Sequence, residues 1–538
     1  MTFDFTGPHG ERMSPSAVIR THLGPVQGLV IDGVHRFLGM RYAAPPIGRR
    51  RFKPPADPEP WASTAEAIHY GPPALQGIRG PEVSPRDDFA LSLMVAKRVG
   101  GHVKTGNEDC LYLNVWTPGT DDAARPVLVW FHGGGFAYGS GVDPLFDGTR
   151  LARRGDVVIV TVNHRLNLFG YLNLTGTHEY YEDSVNVGAQ DLVHALRWVQ
   201  RNIASFGGDP GNVTIAGESG GGLKVNDMLA MPSARGLFHK AIVQSGARAE
   251  ALDADAVRED SLRILRAAGI EEVTPERLST VLAQDLLDAG LGAFAADGTG
   301  SAQFRDARAG LREDLAIRLG TAVDGRILPR HPFGEGAPDL AADIPMMIGW
   351  TKDEWNLMLV EREPWFVDMS HDELLAGARA IHGDRAETVV EALRRAFPTY
   401  GPGHLSGALV SVPIIEATKR IVDLKAAQPA PVYAYQLDWE TPVGGGIFRA
   451  AHSLELPLMF DNVEQARSFV GPGPEPQLVA DQMSESWLAF MRSGSPAHPG
   501  VPAWAPWRPD RRTVMAFDVE SRVVEDPFAD VAAVLAAP

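Results

Sequence analysis

From residue 125 onward the chain alternates short, nearly unbroken apolar runs with stretches whose apolar residues recur at helical spacing. RPVLVWF (125–131), DVVIVTVN (156–163) and NVTIAG (212–217) are runs of the first kind. DLVHALRWVQRNI (191–203), between the second and third, is of the other. Further strands are predicted at 240–244 (KAIVQ), 344–348 (IPMMI) and 432–437 (VYAYQL). A run with no polar alternation marks a strand buried on both faces, and strands that take turns with helices close into parallel sheets. The pattern therefore predicts an α/β chain: a central, mostly parallel sheet with helices on both faces.

The flanks read differently. The first hundred residues are rich in Pro and Gly, as in YAAPPIGRRRFKPPADPEPW, and predict short strands and surface loops. Two stretches, about 255–320 and about 371–425, read mostly as helix and are taken as insertions over one face of the sheet. No fixed-period repeat and no linker of disordered composition divides the chain, so 1–538 reads as a single domain.

Composition narrows the function classes. The chain has 538 residues, long enough for a large core, and a formal net charge of −17. That balance argues against nucleic acid and anionic membrane surfaces as partners. No apolar run of membrane-spanning length occurs. The N-terminus, MTFDFTGPHGERMSPS, lacks the basic and apolar regions of a secretion signal, and Cys110 is the only cysteine. Together these predict a cytoplasmic protein without an internal disulfide. The sequence leaves the oligomeric state open.

The strongest chemical signal is IAGESGGG (215–222). Gly217-Glu218-Ser219-Gly220-Gly221 fits G-x-S-x-G between a strand and a helix, the context that presents a serine hydroxyl on a strained turn. Glycines two residues to either side remove side chains that would collide there. His132-Gly133-Gly134-Gly135-Phe136 follows the strand VLVWF, and its glycines let backbone N–H groups converge on one point. A phosphate-cradling loop is disfavoured, because neither G-x-x-x-x-G-K-[ST] nor G-x-G-x-x-G is present. His132 comes too early in the chain to be the base, since a nucleophile elbow of this type needs the order Ser, acid, His. Of the later histidines, only His452 follows a credible strand. Asp353 and Glu354 both follow IPMMIGW, and the residues alone do not choose between them. No H-E-x-x-H and no cysteine cluster calls for a metal, and no cofactor is expected.

At these residues the chain resembles the type-B carboxylesterases, the cholinesterase and carboxylesterase branch of the α/β-hydrolases, in a bacterial form. The likeness runs nearly the whole length. GPVQG (24–28) and FLGMRYAAPPIG (37–48) look like the family's opening. EDCLYLNVWTP (108–118) and FGGDPGNVTIAGESGG (206–221) look like its signatures, and VDGRILP (323–329), GWTKDEW (349–355), AHSLELPLMF (451–460) and WLAFMRSGSP (487–496) follow in order.

The resemblance implies an α/β-hydrolase fold, with helical insertions over the active site, and a serine esterase acting on small-molecule esters. It implies Ser219 as nucleophile, Glu354 as acid and His452 as base. Gly134, Gly135 and Gly220 would be the oxyanion donors, with Glu218 and Ser245 beside the triad. The family's cysteine matching Cys110, when paired, bonds to a position that falls here at Ala74, so Cys110 is expected to be a free thiol. Three departures stand out: Gly220 where Ala is usual, NHRLNLFGY (163–171) in place of an NYRLG-type segment, and Leu192 after Asp191 where Gln is usual. A carbamate or amide hydrolase would use the same machinery. A non-catalytic adhesion homologue typically lacks triad members that this chain retains.

Overall fold

The computed structural model describes residues 5–6, 12–76, 106–296, 320–362 and 366–537. Seven parallel strands form the middle of one large sheet, in the spatial order Val158–Val162, Arg125–Phe131, Gly208–Glu218, Lys240–Gln244, Met346–Thr351, Val432–Leu437 and Thr513–Phe517. Arg125–Phe131 lies inside its sequence successor, so the chain reverses its direction of travel across the sheet at that point. Antiparallel strands extend both edges: Arg12–Arg20, Pro25–Ile31, Val34–Arg41 and Tyr112–Thr117 on one side, Arg522–Glu525 on the other.

The burial of the middle strands explains their composition. Every residue of Val158–Val162, Lys240–Gln244 and Met346–Thr351 is buried. Their side chains alternate between two cores. Val127, Val129 and Phe131 enter one, with Leu192, Leu196 and Val199 of the helix Val187–Asn202. Leu128 and Trp130 enter the other, with Trp487 and Met491 of the helix Glu475–Ser493. A strand that feeds two cores cannot alternate polar with apolar, which is the pattern read from the sequence.

The 255–320 stretch holds the helices Ala254–Ala267, Pro275–Thr280 and Ala283–Ala296; residues 297–319 lie outside the described ones. Ile264, Leu278 and Leu287 pack on Phe52, Phe169 and Tyr181. In the 371–425 stretch, the helices His371–His382, Ala386–Ala396 and Pro402–Ala426 share a small core with the C-terminal helix Ala529–Ala536. Among the described residues no helix is long and apolar enough to cross a membrane. Cys110 is buried and unpaired. Burial raises its thiol pKa far above the ordinary value, which keeps it protonated and inert.

Candidate active site

Each residue singled out by motif sits just beyond the C-terminal end of a parallel strand. Phe131 leads into His132-Gly133-Gly134-Gly135, Glu218 into Ser219, Gln244 into Ser245, and Thr351 into Glu354. His452 comes from the loop after Val432–Leu437. Neighbouring parallel strands share direction and register, with Phe131 opposite Gly217 and Glu218 opposite Gln244, so these loops gather at one edge of the sheet.

Ser219 holds φ 54° and ψ −123° and starts the helix Gly220–Ala230. This conformation is strained for a residue with a side chain, and close packing on every side holds it. A Cβ at Gly217 would lie 2.5 Å from the Gly221 carbonyl carbon, and one at Gly221 would lie 1.9 Å from Phe131 O. The elbow is braced by Ser219 N–H donating to Gln244 O at 2.8 Å and by Leu223 N–H donating to Ser219 O at 3.1 Å.

The same contacts account for one departure from the family pattern. A Cβ at Gly220 would meet Gly135 O at 2.2 Å and Gly135 N at 2.4 Å. The missing methyl therefore lets the glycine loop close onto the helix start. Gly134 and Gly135 take φ of 88° and 63°, values that suit glycine, and the loop turns back so that Tyr138 N–H donates to Gly134 O at 3.2 Å.

His452 Nδ1 lies 2.5 Å from Glu354 Oε2, and Glu354 Oε1 accepts a hydrogen bond from Thr351 N–H at 2.9 Å. Asp353 points elsewhere: its Oδ2 accepts from Ala450 N–H at 3.3 Å, and its own N–H donates to Ala450 O at 3.0 Å. It thereby ties the Glu354 loop to the His452 loop. Burial pushes its carboxyl up to about 7, against the pull of Lys352.

On its other side, His452 Nε2 is 3.1 Å from Glu218 Oε1 without hydrogen-bond geometry, and Glu218 accepts a hydrogen bond from Ser453 Oγ. Burial alone would lower the imidazole pKa; the charges of Glu218 and Glu354 outweigh it and raise the ring to about 9. Ser245 Oγ donates to Glu455 Oε1 at 3.3 Å. Glu455 is fully buried, and burial together with the charges of Glu218 and Glu354 drives its carboxyl well above the usual carboxylate range. Ser219, Glu218, Gly134, Met358 and His452 line one cleft.

Sequence reasoning singled out Glu218 and Ser245 but missed Glu455 and Ser453. Glu455 follows His452 by three residues and opens the helix Glu455–Met459, a spacing that does not by itself single it out.

Parallel strands with a serine elbow, a glycine loop and an acid–histidine pair at their C-terminal edge define an α/β-hydrolase. The comparisons narrow this. The profile of the Carboxylesterase family matches residues 15–397. The para-nitrobenzyl esterase of Bacillus subtilis (strain 168) is 34% identical over 520 residues, spanning 95% of this chain and 97% of that protein. Phenmedipham hydrolase of Pseudarthrobacter oxydans is 32% identical over 532 residues, 97% of each. The crystal structure of carboxylesterase EST55 of Geobacillus stearothermophilus superposes with a TM-score of 0.78 at 36% identity, covering 97% of this chain and 100% of that one. The chain belongs to the carboxylesterase family, and it is a carboxylic ester hydrolase.

Proposed function

We propose that the chain cleaves small-molecule carboxyl esters through an acyl-enzyme, with Ser219 as nucleophile, His452 as base and Glu354 as acid. The observation that carries this reading is the pairing of His452 with Glu354 in the cleft that also holds the strained Ser219. His452 Nε2 takes the Ser219 proton as Oγ attacks the ester carbonyl, and Glu354 stabilises the imidazolium. The N–H groups of Gly134, Gly135 and Gly220 receive the oxyanion, each contributing about 3 kcal/mol in sites of this kind. His452 then protonates the departing alcohol and later activates the water that frees the acid. Glu218 and Ser245 stand beside the triad and tune it.

The protonated His452 cannot act as base. With its pKa raised to about 9, kcat/KM is expected to climb with pH and level off only above that value. Removing the nearby Glu218 charge weakens the support for imidazolium. Glu218→Gln is therefore expected to shift the rise down by about one pH unit. A pH–rate series on both proteins checks it; an unmoved or upward-shifted midpoint contradicts the role given to Glu218.

For substrate, the reading favours neutral, moderately bulky esters. Leu252 Cδ1 and the Phe136 ring approach Gly320 from two sides, at 3.6 Å and 3.1 Å from where its Cβ would stand. Leu252 stands near the position where the resemblance implies a bulky aromatic in cholinesterase-like relatives, and a Leu there leaves room for a longer acyl chain. Trp61 lines a cavity with Trp198 away from the Ser219 cleft, and its indole N–H donates to Pro25 O at 3.0 Å, so it offers no aromatic face to a choline group there. Each buried methylene is worth about 0.8 kcal/mol, roughly a fourfold rate gain. Among p-nitrophenyl esters from acetate to octanoate, kcat/KM is expected to peak beyond acetate and to exceed that of butyrylthiocholine and of matched carbamates and anilides. A maximum at acetate, or faster turnover of the choline ester, overturns the pocket reading; faster anilide turnover overturns the ester preference.

A further inference from the structure

Behind the glycine loop lies a buried polar cluster that the proposed mechanism does not use. Lys224, one turn into the helix after Ser219, is completely buried. Its Nζ donates to His132 O at 3.2 Å and stands over the Phe136 ring at 5.4 Å. His132 and Phe136 are the first and last residues of the loop that carries Gly134 and Gly135, so one amine grips both ends. The loop needs such a grip: its glycines have few conformational restraints of their own, and Gly220 has opened the space into which it closes.

We infer that Lys224 is a positioning residue for the oxyanion loop, holding the Gly134 and Gly135 N–H groups at the place where the carbonyl oxygen of an ester gains its charge. The inference rests on the proposed roles of Ser219 and the glycine donors. The charged and titratable groups around the amine fit a holding role. Asp227, on the same helix, is engaged by Thr321 Oγ1 at 2.6 Å and by Arg248 Nη1 at 3.2 Å and makes no ion pair with Lys224. The His132 and His164 rings lie with centroids 4.6 Å apart and planes tilted by 34°. Burial lowers both: His132 falls to about 3 and His164 well below its ordinary value, with the Lys224 charge adding to each. Arg248 lies over the same Phe136 ring at 5.3 Å. Burial also lowers Lys224 itself to about 7, against the pull of Asp227. His164 falls within 163–171, where the chain leaves the usual family pattern.

The test is Lys224→Met, which keeps the volume and removes the donor. Asp227 retains Thr321 and Arg248, and Met fills the same volume, so the fold is expected to persist with a modest fall in melting temperature from the His132 carbonyl left without its donor. With activity normalised to the sites titrated by a fluorophosphonate, kcat is expected to fall about 10- to 100-fold, as for a displaced oxyanion donor. KM should stay within about threefold, because ground-state binding does not use the loop's donors. The Ki of an alkyl trifluoromethyl ketone, whose hemiketal oxygen needs the same N–H groups, should rise by the factor that kcat/KM loses. Unchanged kcat and Ki, or a large fall in melting temperature with KM and kcat moving together, overturns the inference. Absence of labelling at Ser219 in the wild type would instead sink the triad reading on which it rests.

Discussion

Ser219→Ala is expected to lower ester hydrolysis about a millionfold while leaving the fold intact. Removing a triad nucleophile costs that much elsewhere, the remainder coming from binding and oxyanion stabilisation. The fold should survive because the elbow is braced through backbone groups: Ser219 N–H to Gln244 O and Leu223 N–H to Ser219 O. Alanine keeps both and shares serine's strain at φ 54°. Far-UV circular dichroism should match the wild type while p-nitrophenyl butyrate turnover drops to background. Near-normal turnover in a folded variant would remove Ser219 from the mechanism.

The second large effect concerns the acid. His452→Ala is expected to cost roughly 10^5- to 10^6-fold in kcat and Glu354→Ala roughly 10^3- to 10^4-fold, with the double variant no slower than His452→Ala alone. Once the imidazole is gone, the carboxylate that orients it has nothing to hold. Asp353→Ala should differ in kind. Its carboxyl reaches Ala450 N–H, not the imidazole, so its loss should loosen the two loops and lower the melting temperature more than it lowers kcat. If Asp353→Ala were the damaging change and Glu354→Ala harmless, the acid would be misassigned. Additive losses in the double variant would show that the pair does not act as a unit.

Much of the fold was legible because burial on both faces leaves an unmistakable trace. Arg125–Phe131, Lys240–Gln244 and Val432–Leu437 stand where the apolar runs put them. Boundaries were less legible. The third run was read as 212–217, whereas the strand extends back to Gly208, which pairs with Arg125 across a bulge formed by the polar, turn-prone Asp209-Pro210-Gly211. Met346–Thr351 likewise begins two residues later and runs three further than IPMMI suggested, because Gly349 carries no hydrophobic side chain yet lies against the Tyr435 ring. Arg12–Arg20 was left among the generic short strands of the N-terminal region, and Thr513–Phe517 was missed. Thr513–Phe517 takes its place beside Val432–Leu437, a pairing across a long stretch of chain that local periodicity does not report.

The site shows the same division. Motif and strand order were enough to nominate Ser219, the glycine loop and His452. They could not separate Asp353 from Glu354, because the two are adjacent and a strand end does not say which side chain turns toward the histidine. In the structure Glu354 reaches back to Thr351 N–H and forward to His452, while Asp353 is taken up by the Ala450 backbone. Glu455 and Lys224 were invisible for another reason. Each is an ordinary charged residue on a helix, and only complete burial beside the triad or the glycine loop gives it meaning.

The central claim is that one serine, Ser219, attacks the ester carbonyl. Its most direct test is to treat the native protein with a fluorophosphonate, which reacts only with an activated serine, and to map the adduct by peptide mass spectrometry. The account predicts one phosphonylated residue, Ser219, with loss of esterase activity in proportion to labelling and no adduct on Ser219→Ala. An adduct on another serine that tracks the loss of activity, or full activity with Ser219 labelled, would contradict it.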